Sequence, residues 1–144
     1  MIENFIKENE ISDHTLNFEI NGKELIGLNC KHPLFESGYD FTVPVLHGEF
    51  VTTEQGTGIV HICPVHGMDD FLLGKQHNLE LPMTIDEGGI YYEHIPVFAG
   101  KHIFKVDQDV CDEINKCNNL ISQGVLIHSY PHSWRSKAPL VYKN

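Results

Sequence analysis

Gly56-Thr57-Gly58-Ile59-Val60-His61-Ile62-Cys63-Pro64-Val65-His66-Gly67-Met68-Asp69-Asp70-Phe71 is the stretch that decides how this chain folds. The glycines on either side of Thr57 let backbone approach a ligand closely. From Gly58 to Cys63 the run is short and nearly all apolar, which predicts a strand buried on both faces. Pro64 stops it. After Gly67 the period becomes helical: Phe71, Leu72 and Leu73 predict a helix over 68–77. Asp69 and Asp70 fall in its first turn, where negative charge suits the helix dipole. Strand, proline-ended loop and acidic helix start together build a pocket rim, with His61 and a carboxylate close in sequence.

On the N-terminal side, Ile2, Phe5 and Ile6 have helical spacing and predict a short helix over 2–9. Leu16, Phe18 and Ile20 alternate, as in a half-buried strand, and Asn21-Gly22 is a two-residue hairpin signal with a return strand over 23–28. Short strands are expected at 43–46 and 49–53. On the C-terminal side, Asp86-Glu87-Gly88-Gly89 is a turn. Val110, Ile114, Cys117 and Ile121 mark one helix face, with Asp107 as N-cap and Gly124 just past the end. Val125 to Ile127 reads as a last strand, and 128–139 as loop. These elements predict an α+β, mainly β fold: one compact, barrel-like domain over 1–144 with peripheral helices.

Composition bounds the function. The chain has 144 residues, 41% of them hydrophobic, enough to bury a core and too many for disorder. Its formal net charge of −10 argues against free-standing nucleic-acid binding through phosphate neutralisation, though not against receiving RNA held by something else. No apolar run approaches the roughly 18 residues of a membrane span. The start, Met1-Ile2-Glu3-Asn4-Phe5, lacks the basic and apolar regions of a secretory signal. Cys30, Cys63, Cys111 and Cys117 form no CxxC pair and read as reduced thiols in a cytosolic protein.

Ten histidines raise the question of a metal. His61-x-Cys63-x-x-His66 places three candidate ligands in six residues, but Pro64 redirects the chain before His66, and a tetrahedral site needs three or four converging ligands. A small metal-binding module on His61, Cys63 and His66 is therefore the alternative, not the main reading, which needs no metal and no cofactor. A Cys/His nucleophile is disfavoured because Cys63 lies in an apolar run that would raise its pKa. No G-x-S-x-G elbow is present.

The quoted stretch resembles the GTGIVHxAPxHGxDDY signature of the editing domain of isoleucyl-tRNA synthetase. Phe98-Ala99-Gly100-Lys101 and His128-Ser129-Tyr130-Pro131-His132-Ser133-Trp134-Arg135-Ser136-Lys137-Ala138-Pro139-Leu140 resemble that family's FAGK and HSYPHCWRxxxPL segments, and His32-Pro33-Leu34 its HPF element. Three ordered motifs over nearly the whole chain are far more specific than any one. Valyl enzymes carry lysine where His61 stands, and leucyl enzymes methionine. Cys63 replaces a usual alanine, and Ser133 a usual cysteine.

The resemblance implies a proofreading role. Isoleucine and valine differ by one methylene, worth only about 1–3 kcal/mol in an apolar pocket, a figure established on this enzyme family itself. A second pocket that admits valine and hydrolyses its ester to tRNA(Ile) restores fidelity, acting on valyl-tRNA and also, in principle, on valyl-adenylate. By the same likeness Asp70 binds the α-ammonium and presents the ester to water. His61 borders the side-chain pocket. Gly56, Thr57 and Gly58 line the pocket near the terminal adenosine, with Asp69 and His66 in supporting positions. The partner is the aminoacylated 3′ end of tRNA(Ile), delivered by the rest of a synthetase, and a cytoplasmic monomer is expected. The HIGH and KMSKS motifs of the ATP-dependent core are not in the sequence, nor is the family's threonine-rich segment, so the chain reads as the larger part of an editing insertion, inactive when alone.

Overall fold

The computed structural model describes residues 2–52 and 57–142. Among these residues, three α-helices, α1 (Ile2–Glu8), α2 (Met68–Gln76) and α3 (Asp107–Lys116), accompany one antiparallel sheet of two short strands, β1 (Asn29–Lys31) and β2 (Thr42–Pro44). Cys30 pairs with Val43 at the centre of that ladder. The chain divides into two compact units, 1–61 with 112–122, and 62–111 with 123–144.

All three helices lie where their periodicity predicts, and all three stop in the same way. Glu10, Asn78 and Asn118 adopt left-handed backbone. One residue further on, an N–H reaches back five residues: Ile11 to Ile6, Leu79 to Gly74 and Asn119 to Ile114, at 3.0, 2.9 and 3.0 Å. This is the Schellman closure, which satisfies carbonyls left over at a helix end. Asn118 supplies it for α3, so that helix ends well before Gly124, and Asp107 is its first residue instead of its cap.

The fold is mixed α and β; the two-stranded sheet is not closed, and the expected mainly β barrel is not shown among the described residues. The failures have local causes. Asn21 has φ −77°, whereas a type I′ hairpin turn needs positive φ. Its side chain instead accepts from Lys23 N at 3.0 Å while Glu24 accepts from Asn21 N at 3.3 Å, a capping box that winds Gly22–Leu25 into a 3₁₀ turn. At the stretch 58–63, Thr57 Oγ1 donates to Ile59 O and accepts from Ile59 N, at 3.1 and 3.2 Å, and so takes both backbone groups a strand ladder would use. Ile59 is 70% exposed, not buried. Leu16–Ile20 and Val125–Ile127 form no strand among the described residues, and Val125 and Ile127 are 94% exposed. Of the strands expected at 43–46 and 49–53, the first survives as β2, while 49–50 form a turn.

The buried core of the first unit includes Leu34, and that of the second Leu73, Ile85, Ile95, Phe98 and Val106. The second unit holds a tight hairpin. Asp86 Oδ1 accepts from Gly88 N and Ile90 N at 2.8 and 2.9 Å, Gly89 turns with φ 76°, and Ile85 pairs with Tyr91. α2 packs close beside Pro64: a Cβ on the buried Gly74 would lie 2.9 Å from the proline ring carbons.

Candidate functional site

The loop from Cys63 to Gly67 and the first turn of α2 carry the predicted carboxylate. His66 N donates to Cys63 O at 2.9 Å and closes a turn directly after Pro64. Gly67 is the N-cap of α2 with extended backbone and, having no side chain, leaves the helix start uncapped from that position. Asp70 sits in the first turn. Its Oδ2 accepts from the backbone N–H of Cys63 at 2.7 Å, a short charge-assisted bond. The half-buried carboxylate is thus fixed against the loop that precedes the helix. A Cβ at Gly67 would meet that same Oδ2 at 3.2 Å, so glycine leaves the carboxylate its room. Asp69, its neighbour, is exposed.

Cys63 is not an activated nucleophile. Burial pushes its thiol above the usual value, and the negative charge of Asp70 adds to this, against a backbone hydrogen bond at Val65 that pulls it down. The thiol stays protonated and unreactive at neutral pH.

His66 has a place that its sequence position did not reveal. Its Nδ1 lies 2.7 Å from Tyr142 O. A carbonyl only accepts, so Nδ1 is the donor in this contact. The imidazole lines a cavity of about 340 Å³ together with Thr84, Ile85, Tyr91, Tyr130 and Tyr142. Burial raises the pKa of the Tyr91 phenol, with Asp107 and Cys63 adding to it, so it remains a neutral hydroxyl. Sequence spacing could not find this cavity, because His66 and Tyr142 are 76 residues apart.

In the first unit, Thr57 is exposed and turned onto Ile59, Gly58 has φ 73°, and His61 is exposed. Gly56 lies outside the described residues. The His32-Pro33-Leu34 element folds around its histidine. His32 Nδ1 accepts from Leu34 N at 3.1 Å, and the ring stacks on Tyr39 with centroids 4.7 Å apart. Burial lowers the pKa of His32, and the charge of His61 lowers it further. Beside it, Ser37 Oγ donates to Glu113 Oε1 at 2.6 Å and contacts Cys117 Sγ at 3.4 Å.

Among the described residues no group of three or more His, Cys, Asp or Glu side chains is placed to hold a metal ion. The alternative of a module on His61, Cys63 and His66 is therefore unsupported. Nor is any described helix long and apolar enough to cross a membrane.

A carboxylate pinned at a helix start beside a tight glycine, on a motif with a defined order, is a feature that comparison with known proteins can test. The family model described as "Leucyl-tRNA synthetase, editing domain" matches residues 1–96, and the chain belongs to this family of synthetase editing domains. Within it the likeness is to the isoleucine branch. The isoleucine–tRNA ligase of Pelagibacter ubique (strain HTCC1062) is 46% identical over 99% of this chain and 16% of its own length. That of Gluconobacter oxydans (strain 621H) is 40% identical over 99% of this chain and 16% of its own length. That of Idiomarina loihiensis is 43% identical over 90% of this chain and 13% of its own length. The chain thus spans about one sixth of the length of the Pelagibacter and Gluconobacter relatives.

Proposed function

We propose that the chain is the larger part of an editing insertion of an isoleucyl-tRNA synthetase and that it hydrolyses the ester of valine mischarged onto tRNA(Ile). The observation that carries this reading is the Asp70 carboxylate held 2.7 Å from Cys63 N in a member of the editing-domain family. One oxygen is committed to the backbone, which fixes the direction of the group. The other is then available to receive an α-ammonium without the entropic cost of ordering a loose side chain.

In this mechanism Asp70 grips the substrate amine and turns the ester carbonyl toward water. An aminoacyl ester is labile, so positioning of the water supplies much of the rate. No protein general base is assigned. His61 borders the side-chain pocket and rejects isoleucine by its bulk. Gly56, Thr57 and Gly58 face the terminal adenosine, Asp69 adds negative charge at the same helix start, and His66 supports the loop through Tyr142 O. Valyl-adenylate is a second substrate of the same pocket. The rest of the synthetase, in the cytoplasm, delivers the 3′ end of the tRNA.

The test is deacylation of valyl-tRNA(Ile) by a full-length synthetase carrying this segment. Asp70→Ala is expected to abolish clearance, and His61→Ala to extend it to isoleucyl-tRNA. Normal clearance of valyl-tRNA by the Asp70 variant would refute the role of that carboxylate.

A further inference from the structure

The motif His128–Leu140 takes no part in the chemistry above, yet it is the most tightly organised part of the C-terminal region. Ser133 N donates to Ala138 O and Lys137 N to Ser133 O, both at 2.9 Å, and Leu140 N donates to Pro131 O at 3.0 Å. His132 bridges to Pro139, and Tyr130 Oη donates to Leu140 O at 2.8 Å. The result is a hydrogen-bonded hairpin-like loop with Trp134, Arg135, Ser136 and Lys137 at its tip. Lys137 has φ 60°, a conformation that a non-glycine residue holds only when its surroundings enforce it.

The tip presents an unusual surface. Trp134, the chain's single tryptophan, is 76% exposed, and the guanidinium carbon of Arg135 lies 4.9 Å from its ring centroid. Arg135 and Lys137 are exposed, and neither forms an ion pair among the described residues. Charge in the sequence is divided just as sharply. Residues 123–144 contain Arg135, Lys137 and Lys143 and no Asp or Glu, while the remaining 122 residues hold all twenty acidic residues and seven basic ones. By charge, a polyanion is favoured at this segment and disfavoured by the strongly acidic remainder of the sequence. An exposed indole with one face on a guanidinium leaves its other face for a flat apolar partner. An unpaired nucleobase offers that face, and its flanking phosphates offer the matching charge. Bases inside a duplex do not.

We propose that the Tyr130–Leu140 loop is a contact site for single-stranded RNA, with one base stacked on Trp134 and adjacent phosphates paired with Arg135 and Lys137. The choice of RNA rests on the editing function proposed above, in which a tRNA 3′ end must be guided to the pocket. The loop acts as a guide for nucleotides upstream of the esterified one and has no part in hydrolysis.

The lone tryptophan makes the test direct. The 144-residue chain is titrated at low salt with a single-stranded RNA octamer ending in CCA, with that octamer annealed to its complement, and with inorganic polyphosphate of matched charge. The single strand is expected to quench Trp134 emission, and the duplex and polyphosphate are not. Neutralising two phosphates on a single strand gives a salt slope, log K against log salt, of about −1.4. In Arg135→Ala/Lys137→Ala that slope falls toward zero. By anisotropy of labelled octamer, Trp134→Ala weakens binding about tenfold or more, while Trp134→Tyr retains it and controls for folding. No quench by the octamer, or equal binding of polyphosphate, overturns the proposal. Valyl-adenosine, an ester without upstream nucleotides, separates the two claims. If Asp70 variants lose it while the octamer fails to bind, only the guide is refuted. If the octamer binds as expected while Asp70 variants act normally on valyl-tRNA in the full-length enzyme, only the hydrolytic assignment is.

Discussion

The backbone N–H of Cys63 donates to Asp70 Oδ2 at 2.7 Å, across seven residues of chain. This bond gives Asp70 a structural role beside the one proposed for it, and the two separate by substitution. Asp70→Ala leaves the partly buried Cys63 amide without its acceptor, at a cost of about 1–3 kcal/mol. Asp70→Asn keeps an acceptor oxygen but no charge. Urea unfolding is expected to show Asp70→Asn closer to the parent chain than Asp70→Ala, while both fail to bind a valyl ester. If Asn restored ester binding, the α-ammonium would need no negative partner there.

Gly74 is the tightest packed position in α2. Alanine would raise helix propensity by about 1 kcal/mol in an exposed position. Here the new Cβ would meet the Pro64 ring at 2.9 Å, and a ring cannot rotate away. Overpacking of that kind costs about 1–3 kcal/mol and moves backbone. Gly74→Ala is therefore expected to lower the thermal midpoint by a few degrees and, by shifting Pro64, to disturb the neighbouring Cys63 amide on which Asp70 rests. A raised midpoint would show that the loop yields easily.

Which parts of this were legible in the sequence follows from the range of the interactions. The helices were legible because apolar residues at helical spacing, such as Val110 and Ile114 in α3, are set within one element. Their ends were less so: Asn118, not the expected Gly124, takes the left-handed position that closes α3, and Asn78 does the same for α2. The strands failed because alternation in Leu16–Ile20 specifies an extended backbone but not what lies beside it. Asn21 and Thr57 then offered their own backbone a local bond. At the candidate site, the position of Asp70 at a helix start was readable from spacing and its tie to Cys63 was not. The bond from His66 to Tyr142 depends on tertiary placement alone.

The chemistry of Cys63 gives a prediction about reactivity. Burial and the charge of Asp70 outweigh the Val65 backbone bond and hold the thiol above its ordinary pKa, whereas Cys30 is exposed. Iodoacetamide at pH 8, followed by peptide mass mapping, is expected to label Cys30 well before Cys63. Asp70→Asn removes one of the contributions that raise the Cys63 pKa and should speed its labelling modestly. Equal rates at the two cysteines in the parent chain would contradict the protected setting of Cys63.

His32 ties the stability of the first unit to pH. Burial first, and His61 second, lower its pKa from 6.5, so the folded chain binds this proton less readily than the unfolded chain does. Stability linked to His32 is then fully present above about 6.5 and is lost as pH falls from there through the depressed folded value. The geometry agrees with the sign: Nδ1 accepts from Leu34 N at 3.1 Å, and a protonated Nδ1 cannot accept. The urea midpoint should fall between pH 7.5 and about 5, and the fall should be shallower in His32→Gln, which removes the titrating ring. Replacing His61 with Gln removes the second contribution alone and should flatten the profile less. An unchanged pH profile in His32→Gln would assign the acid sensitivity to other groups.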